Sequence, residues 1–233
     1  MAGPLTISPG LQPRTESLGH ERQPLLILDD CLADPAAVLG IAARATFARH
    51  GPHYPGIRAP VPRAAAAALI DPLGELLAQT FALPGLPEFA ECYLSLVTTP
   101  ARDLQPIQRL PHFDGLERNR LAVLLYLDPA ERGGTAFYRQ RGTGFETVDS
   151  TRFAAFQTEL ESGIAQHGLP PSDYIRGDTA LYEQVGTVSG KFNRAVVYHG
   201  NSLHCADLPA DFEPPVDPLA GRLTLNLFLR TAD

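Results

Sequence analysis

Lysine is almost absent from this 233-residue chain: Lys191 is the single one, so all but one of its 19 cationic side chains are arginine. Together with the many alanines and prolines, that bias reflects overall composition more than chemistry. A basic surface is missing too. With 26 acidic residues the formal charge is -7 and the pI about 5.5, which excludes the footprint of general nucleic-acid binding and of docking on anionic lipid. A small molecule or a protein is the expected partner. Cysteine is scarce: Cys31, Cys92 and Cys205 are odd in number and far apart, with no Cys-x-x-Cys, so neither a disulfide framework nor a zinc knuckle is indicated. That suits a reducing, cytoplasmic setting. Long apolar runs are also lacking, and no basic-then-apolar segment opens the chain, so neither membrane insertion nor export is expected.

What is present is 44% hydrophobic residues, enough for one sizeable core, and a single domain over residues 1–233 is expected. Residues 1–22 carry Pro4, Pro9, Gly10 and Pro13 without periodicity and read as a loose arm. Residues 23–88 read as helical support. Within them, residues 24–28 form a short apolar strand. Asp34 then caps a helix that has Pro35 at its first position and runs to about Phe47, and Leu69, Leu73, Leu76, Leu77 and Phe81 repeat at helical spacing over 64–82. Between these helices residues 53–60 are polar and rich in turn formers. They read as a surface loop or, more sharply, as a loop at a pocket mouth where Tyr54 and Arg58 meet substrate.

From residue 89 onward strands dominate. Residues 89–98 alternate, and over 121–127 Leu121, Val123, Leu125 and Leu127 share one face while Ala122, Leu124 and Tyr126 share the other, as in a strand covered on both sides. A further strand is expected over 135–138. Phe153, Phe156, Leu160 and Ile164 mark a helix behind a Ser150/Thr151 cap. This helix makes an insertion near 150–175, and the connection over 168–180 suits a lid. Strands over 179–188 and 194–199 lead through Gly200-Asn201-Ser202 to His204. The cleanest alternation comes last, with Arg222, Thr224, Asn226 and Phe228 opposite Leu223, Leu225, Leu227 and Leu229. Periodicity leaves open which face looks inward: a polar face in water above a leucine core, or a polar face lining a barrel that holds an anion.

The chemistry is densest at Leu110-Pro111-His112-Phe113-Asp114. On extended backbone, residues two apart point the same way, so the His112 imidazole and the Asp114 carboxylate can converge while Phe113 packs behind. A facial site for non-haem iron needs a second histidine. His204 is the candidate and His199 its competitor. Alone, His-x-Asp fits a surface turn as well as it fits a metal.

Four signals in order resemble the prolyl-4-hydroxylase-type branch of the 2-oxoglutarate- and iron(II)-dependent dioxygenases, and more closely an uncharacterised bacterial family within it. They are His112-x-Asp114, Leu124-Leu125-Tyr126-Leu127 with Gly133-Gly134-Thr135, Asn193 to Tyr198 before Leu203-His204, and Gly221-Arg222-Leu223-Thr224. The resemblance implies a mainly β protein with supporting helices, a double-stranded β-helix or jelly-roll barrel over residues 89–233. It implies that His112, Asp114 and His204 bind iron and form the catalytic centre. It further implies that Arg222 grips the far carboxylate of 2-oxoglutarate, with Thr224 as a helping hydroxyl and Tyr126 beside them. O2 and a small-molecule or peptide substrate complete the set, and a retained Asp114 points to hydroxylation over halogenation. Two rivals stay open, a cupin-like metalloenzyme that uses no keto acid and a binding module without turnover. Neither needs a cation at the position of Arg222.

Overall fold

The leucines of the last strand fix the order of the layers. In the computed structural model, which describes residues 3–231, the strands are β1 (Pro13–Leu18), β2 (Gln23–Leu28), β3 (Gly56–Pro60), β4 (Glu88–Val97), β5 (Arg120–Tyr126), β6 (Gly134–Gln140), β7 (Tyr182–Ser189), β8 (Ala195–His199), β9 (His204–Asp207) and β10 (Leu223–Arg230). Seven make one antiparallel sheet in the order β1-β2-β8-β5-β10-β4-β3, and a smaller antiparallel sheet of order β7-β6-β9 faces it. The helices are α1 (Pro35–Ala42), α2 (Arg63–Ile70), α3 (Gly74–Thr80) and α4 (Phe153–His167).

Leu223, Leu225, Leu227 and Leu229, with Leu121, Val123 and Leu125 of β5 and Leu94 and Leu96 of β4, pack under Val38 of α1, Leu69 of α2 and Leu77 of α3. Each such leucine removed from water contributes about 1.5–3 kcal/mol. The other face of the large sheet looks into the barrel, where Ala122, Leu124, Tyr126, Val196, Tyr198 and Phe228 meet Phe137 and Val188 of the small sheet. The outer face of the small sheet, Tyr138, Tyr182 and Cys205, is covered by Phe156 of α4. The final strand therefore turns its polar side chains inward and its leucines outward. This is a jelly roll of two facing sheets, with helices on its outer surfaces.

Several expectations are corrected. Residues 13–18 of the arm read as loose form β1 and pair along their whole length with β2. With β1 in the segment read as an arm and β2 and β3 inside the one read as helical support, strands of the large sheet begin well before residue 89. The loop read over 53–60 contains β3, an edge strand whose Pro60 stands at its end, where a missing donor disturbs no central ladder. The first helix stops at Ala42, not Phe47: Ala45 and Phe47 still pack on the same core, but from irregular backbone, which preserved the helical stripe. The helix read over 64–82 is interrupted by a 3-10 turn at Asp71–Leu73, because Pro72 has no N–H and its ring crowds the preceding turn. Asp149, rather than Ser150 or Thr151, caps the approach to α4, accepting the N–H groups of Thr151 and Arg152. Among the described residues no helix is long and apolar enough to cross a membrane.

Candidate metal and anion site

The backbone brings His112, Asp114 and His204 together before any side chain does. His112 and His204 exchange both backbone hydrogen bonds, at 2.9 and 2.8 Å, and the N–H of Asp114 donates to Gly200 O at 2.6 Å. The turn at 200–203 is gripped from its other side as well, by Val148 N–H to Asn201 O and by Leu203 N–H to Glu146 O, each 2.8 Å. Both ends of the ligand set thus rest on one clamped segment.

Among the described residues, these three side chains form the one cluster of histidine, cysteine, aspartate or glutamate suited to a metal, with their ligand atoms all within 4.8 Å of one another. Asp114 carboxylate oxygens lie 3.9 Å from His112 Nε2 and 3.5 Å from His204 Nε2. His204 Nδ1 sits 2.9 Å from Ser202 O, an arrangement that fixes the ring and leaves Nε2 free to ligate. Around it stand Tyr198, with ring centroids 4.8 Å apart, and Phe137 at 6.4 Å.

Half of the His112 side chain is reachable by solvent through the open barrel, yet the ring is ringed closely enough that desolvation pushes its pKa well below the usual histidine value, assisted by His204, Arg58 and His53. Burial pushes the Asp114 carboxyl up, against the pull of His204, Arg120 and Arg58. Neutral imidazoles are the form that binds a metal, and a divalent cation between them would hold Asp114 ionised.

The rest of the inward face continues this chemistry. Arg58 of β3 pairs with Ser95 of β4, Ser95 with Thr224 of β10, and Thr224 with Tyr126 of β5, so these four side chains lie on one rung of the sheet. Arg222 sits at the foot of β10, buried, and donates from Nη2 to Gly134 O at 2.6 Å, while its Nε is buried with no partner. Its guanidinium is 5.8 Å from the centre of the Tyr126 ring. Tyr126 bridges the two sheets through its hydroxyl, 2.7 Å from Thr135 Oγ1. The Thr224 hydroxyl donates to Asn226 Oδ1 at 2.7 Å, so it offers lone pairs sooner than a proton.

The Tyr54 and Ser95 hydroxyls are near neighbours, buried without a well-formed hydrogen bond, and that of Tyr54 is within electrostatic reach of Arg222. Tyr54 thus belongs partly to the anion end, deeper than a pocket rim. Ser95 was not singled out from the sequence. The sequence offered only a serine between Leu94 and Leu96 on an alternating strand; the structure adds that it is fully buried.

His199 is separated from the cluster by the pleat. It pairs with Leu121 on the outward face, and its ring meets Phe81 edge-on at 5.2 Å under the helices. The 168–180 connection does reach the barrel end where Tyr54 lies: the Tyr174 hydroxyl donates to Thr99 O at 2.8 Å, and the ring joins a cluster with Val97, Leu104 and Leu208 against which Tyr54 packs.

Among solved structures, the non-heme alpha ketoglutarate dependent carbocyclase SnoK from nogalamycin biosynthesis superposes with a TM-score of 0.52 at 14% identity, over 92% of this chain and 82% of that one. The non-heme alpha ketoglutarate dependent epimerase SnoN from the same biosynthesis gives 0.49 at 15% identity, over 91% and 80%. A prolyl-4-hydroxylase of Pseudomonas putida gives 0.44 at 15%, over 90% and 93%. The likeness to the carbocyclase shows the fold alone: the chain has the jelly-roll fold of the 2-oxoglutarate-dependent oxygenases. No curated protein matches the sequence. A family model described as a family of unknown function (DUF6445) matches residues 9–229.

Proposed function

The chain belongs to DUF6445, a family of unknown function, and we propose that it is an iron(II)- and 2-oxoglutarate-dependent dioxygenase that hydroxylates a small molecule or a peptidyl side chain. The observation that carries this reading is the pairing of two features in one barrel: a His, Asp, His cluster at one depth, and at another a buried arginine whose Nε has no partner. The donor set suits the group. Two neutral imidazoles and one carboxylate leave positions open on iron for a chelating keto acid and for O2. Arg222, with the unpaired Tyr54 and Ser95 hydroxyls, suits a carboxylate that has lost its water.

When bound, iron and the keto acid supply oxidative decarboxylation and the transfer of an oxygen atom to a C–H bond. The chain's own part is binding, orientation and exclusion. His112, Asp114 and His204 would hold the metal. Arg222 holds the far carboxylate, as a bidentate fork can and a lysine cannot, and Tyr126 and Thr135 close the wall behind it. Phe137 and Tyr198 keep the His204 side dry.

The test is an anaerobic titration of the metal-free protein with Fe(II) and then 2-oxoglutarate. A weak visible charge-transfer band that saturates with both, followed by succinate formation on admitting O2, is the expected result. No band at saturating concentrations of both sinks the reading.

A further inference from the structure

Among the described residues, two arginines on the inward face of the large sheet have no carboxylate partner, Arg222 and Arg58. Arg222 has been given a role. The other is Arg58, which among the described residues forms no ion pair and no side-chain hydrogen bond, although most arginines that approach the core are paired: Arg120 with Glu91, Arg139 with Glu146, Arg194 with Asp29. Its Nε is buried with no partner, and its terminal nitrogens are not closed off. The guanidinium lies over the Tyr54 ring at 4.1 Å and within 5.4 Å of the Tyr93 ring, which orients it without neutralising it. The backbone beneath it is held from both sides, by the exchange of hydrogen bonds with Ala48 at 2.8 and 3.0 Å and by its pairing with Ser95. The nearest acidic groups are committed elsewhere, Glu91 to Arg120 and Tyr93 and Asp114 to the metal cluster. A fixed, stacked, unneutralised cation on the inward face of an edge strand is a preformed site for a planar anion.

We propose that Arg58 anchors a carboxylate group of the substrate, so that this barrel holds two anions at once: the co-substrate dicarboxylate on Arg222 and a carboxylate-bearing substrate on Arg58. The inference rests on the proposed oxygenase reading for the word substrate; the second anion site does not. The Tyr54 ring lies under Arg58, and its hydroxyl is within electrostatic reach of both arginines. The substrate class that follows is an acid, with the C–H bond to be attacked held at a distance from the carboxylate set by the span between Arg58 and the metal cluster.

The probe is trifluoroacetate, followed by fluorine NMR on the metal-free protein with and without saturating 2-oxoglutarate. Two saturable sites are expected, one of which 2-oxoglutarate removes. The remaining one should weaken at least about tenfold in Arg58→Gln and persist in Arg222→Gln. A single site that 2-oxoglutarate abolishes overturns the proposal, as does a second site indifferent to Arg58→Gln. Should that variant fail to fold by circular dichroism, Arg58→Lys decides: an ammonium loses the stacked fork, so a several-fold weaker site supports the assignment and an unchanged affinity overturns it. Two anion sites in a protein that gives no charge-transfer band would sink the oxygenase reading and leave the Arg58 site standing. One site in a protein that gives the band does the reverse.

Discussion

His204 stands against His199, which the pleat turns to the other face of its strand, and Arg222 stands against the plain reading of a solvated strand face. Arg222 is 5% exposed with an unpaired Nε, so a carboxylate there replaces lost water. A solvated strand residue would gain little from the same contact. Replacing it by alanine is expected to weaken 2-oxoglutarate binding about a hundredfold, from roughly 3 kcal/mol for a buried charge-assisted pair, and to leave Fe(II) affinity nearly unchanged; calorimetric titration of each ligand separates the two. For the metal, Asp114→Ala and His204→Ala are each expected to abolish tight Fe(II) binding, while His199→Ala, on the far side of β8, leaves it within about twofold. Equal losses from His199→Ala and His204→Ala would mean that the ligand assignment is wrong.

At the level of elements, the edge strand β3 is what presents Arg58, and it depends on close backbone approach. A Cβ on Gly56 would meet the backbone oxygen of Leu96 at 2.0 Å, an atom that cannot swing aside as the end of a flexible side chain can. Gly56→Ala is therefore expected to destabilise the fold by about 2–3 kcal/mol and to weaken anion binding at Arg58, read by denaturant titration and by the fluorine probe; a variant as stable as the parent would show that β3 moves freely on β4. This strand also marks where sequence legibility ended. β5, β6, α4 and β10 were readable because each is covered on one or both faces by core, so burial wrote itself into the periodicity. β3 was not: five residues ending in proline at a sheet edge carry too few inward positions for alternation to register, and His53 to Pro60 read as a loop. That His112 and Asp114 converge was legible as residue types and order, since they are two apart on extended backbone. The meeting of the Ser95 and Tyr54 hydroxyls was not, because they come from β4 and from the segment just before β3, and the rung beside them joins positions 37 or more residues apart in the chain.

For the molecule as a whole, the N-terminal segment and α4 are tied to the small sheet and the ligand turn by buried carboxylates, and these set its response to acid. Glu146 accepts the N–H groups of His20 and Glu21 at 2.9 and 3.0 Å and two nitrogens of Arg139 at 2.8 and 2.6 Å. Burial alone would raise its pKa, but those donors outweigh it and the carboxyl ends below its ordinary 4.5. Asp149 is held well below its ordinary 3.8 by the Thr151 hydroxyl, Arg118 and the backbone ahead of α4, opposed by burial. Both folded-state values are depressed, so both groups stabilise the protein fully above their unfolded values, and that contribution is lost as pH falls through about 4 and below toward the folded values. Denaturant midpoints measured from pH 7 to 3 are therefore expected to be level near neutrality and to fall once pH drops below about 4.5. Because Glu146 O also accepts from Leu203 in the turn that carries His204, loosening this corner should weaken metal binding over the same range. A Glu146→Gln, Asp149→Asn double variant should start less stable at pH 7 and show a flatter decline, since the groups that take up protons on unfolding are gone. If its decline is as steep as the parent's, acid sensitivity resides in other carboxylates and this corner does not govern it.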